Sequence, residues 1–231
     1  MTRRRTVPSL VAIGVVLSAI AACGDGSGGL PDPNFLLRGA TAASGSLTSA
    51  HVQMTTSGPV PGLAARTLSA DIRAPKGGVG GAAVGTAEIA GLRFDFVEQG
   101  GQLYSRSADG KYAPAQPLSG VGELPEPSVM LDPDHGLAHM LADIEHPATE
   151  AREQFHGVEA FRVTGNVSRA DAQAWLPGLR QDAGLTIWFA TAGRHLPVGT
   201  RMTVPGASGG TVTIDFTLSD LNKKVQVPAV S

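Results

Sequence analysis

Between Val52 and Leu218 the chain repeatedly sets apolar residues at every second position, and only an extended strand turns that spacing into one dry face and one wet face. Val52-Gln53-Met54-Thr55 and Leu68-Ser69-Ala70-Asp71-Ile72 alternate in this way, as do Leu92, Phe94 and Phe96 around Arg93 and Asp95. The second half repeats the pattern in Phe161 and Val163, in Leu185, Ile187 and Phe189, in Leu196, Val198, Thr200, Met202 and Val204, and in Val212, Ile214, Phe216 and Leu218. Glycine-containing turns separate many of these runs, among them Gln99-Gly100-Gly101, Ala108-Asp109-Gly110, Thr191-Ala192-Gly193 and Ala207-Ser208-Gly209-Gly210. The sequence therefore predicts a meander of antiparallel strands, and a sheet with one apolar face has to bury it against a second layer.

Few helices are available for that layer. Pro33 to Ser49 predicts one, with Phe35, Leu36, Ala40, Ala43 and Leu47 near helical spacing and Gly39 and Gly45 weakening it. Pro133 to Ile144 predicts a second, with Leu137, Met140, Leu141 and Ile144 on one stripe and Asp132 as its N-cap. A third runs from Ser168, its cap, through Trp175 to Pro177. Three amphipathic helices cannot tightly cover a large sheet. The strand Gly81 to Ala90 bears on what lies between the layers, because Ala83, Gly85, Ala87 and Ile89 share one face and most are small, with Thr86 and Glu88 on the other. Parity leaves two readings open: large residues opposite fill the space, as close packing demands, or the space holds a guest.

The N-terminus answers a separate question. Arg3, Arg4 and Arg5 precede an almost uninterrupted apolar or small run from Val7 to Ala22, which is a secretory signal pattern too short to span a bilayer. Ile20-Ala21-Ala22-Cys23 resembles the bacterial lipobox, in which the thiol is alkylated with diacylglycerol and cleavage leaves the cysteine as the new N-terminus. Cys23 is the sole cysteine, so the chain has no internal disulfide framework and no cysteine-based metal or redox pair. Gly24 to Pro33 has the composition of a flexible spacer, with a reach of roughly 5 to 6 Å times the square root of its length. The chain beyond Cys23 is about 200 residues long, the size of one domain. Removing Arg3 to Arg5 from the 18 basic residues leaves 15 against 20 acidic, and with aromatics at 5% this argues against a nucleic-acid partner.

Taken in order, "SAHVQMTTSGPVPGL", "TLSADI", "FDFVEQGGQLY", "PSVMLDPDHGLAHMLADI", "FHGVEAFRVTGNVS", "LTIWF" and "VTIDFTLSDLNKKVQVPAV" resemble the LppX/LprA/LprF/LprG lipoproteins of mycobacteria and related actinobacteria. The similarity covers nearly the whole mature chain, and "LDPDHGLAHML" is its most telling piece. Departures are Ala70, where the family has glycine before aspartate, and the missing proline before "LTIWF". The resemblance implies an α+β fold: a strongly bent antiparallel sheet, a half-barrel, with helices on its concave face enclosing an apolar cavity. It implies residues 1–22 as a lipoprotein signal peptide, 23–33 as the acylated cysteine and linker, and 34–231 as the lipid-binding domain. It implies a non-enzymatic protein without cofactor or metal, anchored through Cys23 to the outer face of the cell membrane, that binds acylated lipids or glycolipids and carries them across the envelope, in some members alongside a membrane transporter.

Strand parity nominates the cavity wall as Val52, Met54, Leu68, Ala70, Ile72, Ala83, Gly85, Ala87, Ile89, Phe94 and Phe96, with Leu137, Met140, Leu141 and Ile144 from a helical lid. Each could equally be plain core. The other function classes are a structural or interaction lipoprotein with no transported ligand, and a lipid-modifying hydrolase. For the last, Gly206-Ala207-Ser208-Gly209-Gly210 fits G-x-S-x-G, but a nucleophile elbow needs a strand before it and a helix after it, and strands flank both sides here. His135 and His139 stand at the spacing of two metal ligands, with Asp132, Asp134, Asp143 and His146 nearby, yet Gly-Leu-Ala between them lacks the glutamate of a zinc hydrolase. A solvated helix face accounts for them.

Overall fold

A computed structural model describes residues 29–76, 80–115, 126–176, 178–206 and 209–230. The signal segment, Cys23, Pro177 and the Ala207-Ser208 tip lie outside these residues. Eleven described strands form one antiparallel sheet: β1 (Ser49–Thr56), β2 (Ala65–Arg73), β3 (Ala82–Ile89), β4 (Leu92–Gln99), β5 (Gln102–Arg106), β6 (Tyr112–Pro114), β7 (Glu145–Phe155), β8 (Val158–Val167), β9 (Ala183–Ala190), β10 (Pro197–Pro205) and β11 (Thr211–Ser219). Their spatial order is β6-β5-β4-β3-β2-β1-β11-β10-β9-β8-β7, two meanders joined where the first strand pairs with the last. The β3–β4 hairpin turns on Ala90 and Gly91, both at positive φ (50° and 78°), as a two-residue turn matched to strand twist requires.

Alternation builds the sheet's dry face as expected. Val52 and Met54, Leu68, Ala70 and Ile72, Leu185, Ile187 and Phe189, and Val212, Ile214, Phe216 and Leu218 are all buried. Strand β4 departs from the pattern. Leu92, beside the hairpin end, is 63% exposed, while Phe96, Val97 and Glu98 are buried in succession. The opposite face carries ion pairs such as Arg201–Asp215, and the Phe155 ring stacks on Trp188 at 4.3 Å while lying against Gly199.

Four short helical segments cover the dry face: α1 (Pro33–Ser44), a 3₁₀ helix (Pro127–Leu131), α2 (Leu137–Ala142) and α3 (Arg169–Ala172). Asp32 caps α1 by accepting from the Phe35 amide at 3.0 Å, and the helix stops at Gly45 rather than running to Ser49, because Ser49 already opens β1. The helix predicted over Pro133 to Ile144 is confined to α2. Asp132 accepts from the amides of Asp134 and His135, both at 2.9 Å, and so closes a turn instead of capping a helix. Gly136 then packs so closely on the carbonyls of Val129, Met130 and Asp132 that no Cβ would fit, which folds the chain back over the 3₁₀ helix before α2 begins. Ser168 does cap α3, accepting from the Asp171 amide, and a turn through Trp175 and Leu176 continues it. Leu36, Leu37, Ala40, Leu137, Met140, Leu141, Trp175, Leu176 and Leu179 close one continuous core against the sheet. No helix among the described residues is long and apolar enough to cross a membrane.

Candidate functional site

The sheet and the helical layer do not meet perfectly. Between them lies a gap of about 20 Å³, walled on the sheet side by Val52 and Met54 of β1, Leu68 of β2 and Phe216 of β11. Pro127, Val129 and Met130 of the 3₁₀ helix and Trp175 after α3 close it from above, and Glu126, which is exposed, stands at its rim. Trp175 is held in place twice: its indole N–H donates to the His135 carbonyl at 3.2 Å, and its ring meets Phe216 edge-on at 5.5 Å. The gap is about one water in size, and its walls are almost wholly apolar.

Of the residues nominated from strand parity, Val52, Met54 and Leu68 line this gap. Ala70, Ile72, Ala83, Ala87, Ile89, Phe96, Leu137, Met140 and Leu141 are buried in the same core, and Phe94 and Ile144 pack against it partly exposed. At Gly85 the missing side chain leaves no room, since a Cβ there would stand 2.1 Å from the Ser69 carbonyl and 2.7 Å from Ala70 Cα. The glycine admits the neighbouring strand. Sequence reasoning missed Trp175, Phe216 and the whole 3₁₀ helix as walls. Phe216 was already visible in the alternation of β11, whereas Pro127 to Leu131 has no periodicity to announce it.

The 3₁₀ helix is fastened by a carboxylate on the dry face of β4, two residues beyond Phe96 and opposite Ala83. The Glu98 carboxylate, 1% exposed, accepts from the Ser128 amide at 3.0 Å and from the Ser128 hydroxyl. Burial pushes its pKa up, with the Glu126 charge adding to that effect and the two Ser128 hydrogen bonds opposing it. Gly81 makes room for the Ser128 side chain.

Two polar groupings elsewhere invite a chemical reading. On the wet face Asp71 bonds His51 Nδ1 at 2.7 Å and Ser69 Oγ lies 3.2 Å from His51 Nε2, the order of groups used in acyl transfer. The backbone around Ser69 is paired on one side with β1 and on the other with β3, so it has no free N–H groups to hold an oxyanion. The relay thus lacks the part that does most of such catalysis. His139 gathers with Asp143 (3.2 Å) and Asp171 (3.7 Å), and these are the described residues that could hold a cation, whereas His135 turns to Asp132 instead. Gly206 and Gly210 close the β10–β11 turn by a backbone bond of 3.0 Å, as a hairpin reading of that segment requires, with Ser208 itself outside the described residues.

Comparison with known proteins points the same way. The sequence model of the LppX_LprAFG lipoprotein family matches residues 32–227. The lipoarabinomannan carrier protein LprG of Mycobacterium tuberculosis is 30% identical over 235 residues, covering 98% of this chain and 97% of its own. Among solved structures, LprF from Mycobacterium bovis superposes with a TM-score of 0.71 at 23% identity, covering 87% of this chain and 99% of that one. LppX from Mycobacterium tuberculosis gives 0.63 at 21%, covering 86% and 100%. Those two similarities establish the fold, a large antiparallel sheet backed by a few helices. With the family match spanning nearly all of the chain after its N-terminal segment, the protein belongs to the LppX_LprAFG lipoproteins.

Proposed function

We propose that this protein is a membrane-anchored carrier that takes acylated lipids or glycolipids into an apolar cavity between sheet and helices and moves them across the cell envelope. The observation that carries the reading is the apolar gap at the layer interface of a chain whose relative over nearly its whole length is named a lipoarabinomannan carrier. A lipid with several long chains loses tens of kcal/mol on leaving a bilayer for water, at about 0.8 kcal/mol per methylene, so a carrier must enclose them. A gap of about 20 Å³ holds no acyl chain, so loading at this gap requires the layers to part there. The 3₁₀ helix, α2 and α3 span five, six and four residues, and lifting them disturbs far fewer hydrogen bonds than opening the sheet. The sheet then forms the bent, half-barrel wall and the helices the lid on its concave side. The process is exchange without covalent chemistry.

In this reading residues 1–22 are removed, Cys23 carries two or three acyl chains, enough for stable anchoring, and residues 23–33 tether domain 34–231 to the outer face of the membrane, where a membrane transporter can supply cargo. One observation favours a second reading, an envelope lipoprotein that acts by protein contacts alone: among the described residues the layers leave room for only about one water at this gap. Native mass spectrometry of the full chain from an actinobacterial host, followed by organic extraction, separates the two. A stoichiometric acylated adduct released by solvent supports the carrier. A clean apo mass that persists after incubation with acylated glycolipid supports the contact protein.

A further inference from the structure

Across the dry face the strand registers align one row of side chains: Val163, Ile187, Thr200, Phe216, Met54, Leu68, Ala87 and Phe94. Three of its members, Phe216, Met54 and Leu68, line the gap, and Thr200 is the immediate cross-strand neighbour of Phe216. Thr200 is the sole polar residue in the row. It is 2% exposed, and its hydroxyl has no hydrogen-bond partner. A second orphaned hydroxyl, that of Thr56, sits on the same face at the end of β1, two residues beyond Met54.

A buried hydroxyl without a partner is destabilising, and valine would fill the same volume without that penalty. A trapped water is a poor partner, because a buried water needs two to four polar contacts and the neighbours of Thr200 in the row are apolar. The missing partner is therefore an acceptor that arrives with an otherwise apolar molecule. It is a neutral one, since no lysine or arginine is buried among the described residues to balance a phosphate or carboxylate.

We propose that the Thr200 hydroxyl donates to an ester carbonyl of the bound lipid, so that the cavity selects acyl esters over ether-linked or plain hydrocarbon chains. This rests on the carrier reading above and adds to it a determinant of ligand class. The test uses the delipidated full chain, wild type and Thr200→Val, each equilibrated with phosphatidylcholine vesicles holding equal amounts of dipalmitoylglycerol and di-O-hexadecylglycerol. The two probes differ in their ester carbonyls alone. Extraction and mass spectrometry give the ratio retained. The wild type is expected to enrich the diester about three- to tenfold, the share of one neutral hydrogen bond. Thr200→Val should take both equally while keeping its uptake of the diether, and Thr200→Ser, which keeps the hydroxyl, should restore the enrichment. Enrichment that survives in Thr200→Val, or its absence in the wild type, overturns the assignment. So does a clear fall in the melting temperature of ligand-free Thr200→Val, which would reveal a partner already present in the protein. Uptake of neither probe by the wild type overturns the carrier reading itself.

Discussion

Ala87→Leu asks whether the interface of sheet and helices has room, and the answer is a sign. Ala87 is 2% exposed and faces Leu68, a wall of the gap, across the β2–β3 ladder. Leucine adds three carbon atoms. Were there space for them, their burial would stabilise the fold by about 2 kcal/mol, at about 0.8 per methylene. The gap beside Leu68, about 20 Å³, has room for about one water and not for three further carbon atoms, so the added atoms must displace neighbours. Overpacking of that kind costs about 1–3 kcal/mol, and at about 2–4 °C per kcal/mol for a domain of this size the ligand-free melting temperature should fall by about 2–12 °C. Thermal denaturation followed by circular dichroism measures this on the delipidated full chain. The variant as purified from cells, before any lipid is removed, should carry less lipid than the wild type if the carrier reading holds, because the side chain would compete for the space a ligand enters. A melting temperature that rises, together with undiminished lipid, would refute the reasoning: the interface would be loose, and Ala87 would stand away from the cavity.

Other outcomes turn on particular contacts. Glu98→Gln removes a charge whose pKa is raised in the folded state, so the folded wild type holds its proton more tightly than the unfolded chain does. Its contribution is present below the ordinary carboxylate range and is lost as pH rises through the raised value. Melting temperature should therefore fall with rising pH more steeply in the wild type than in the variant, and parallel curves would show that Glu98 is not the group responsible. Gly85→Ala should lower stability by at least about 2 kcal/mol, because its Cβ would strike the backbone of Ser69 and Ala70. Gly184→Ala, whose Cβ would meet Thr203 Cβ at an ordinary 3.5 Å, serves as the near-neutral control in the same urea titration.

Local patterns were legible because they depend on neighbours in the chain. Alternation gave β1, β2, β9 and β11 with their dry faces, and β10 from Thr200 onward, where a register shift between Pro197 and Gly199 takes Leu196 and Val198 out of the pattern; the i, i+3, i+4 stripe gave Leu137, Met140 and Leu141, and Ser168 announced its cap. The order of motifs from Ser49 to Val230 carried the family, and with it the fold. The tertiary structure alone decided matters of distance between segments remote in sequence. The pairing of β1 with β11, which joins the two meanders, has no local signature. Glu98 shares the dry-face parity of Phe94 and Phe96, but nothing near it in sequence tells what satisfies a carboxylate there until Ser128, thirty positions away, supplies its hydrogen bonds. Gly85 reads as open space until β2 is seen to occupy it, and α2 reads as a longer helix until Gly136 is seen pressed onto the 3₁₀ helix. The sequence by itself determined which face of β1, β2, β9 and β11 is dry, because that depends on the geometry of one residue and the next. Only the packed chain decided how much space remains behind that face, since a volume is set by all of its walls at once.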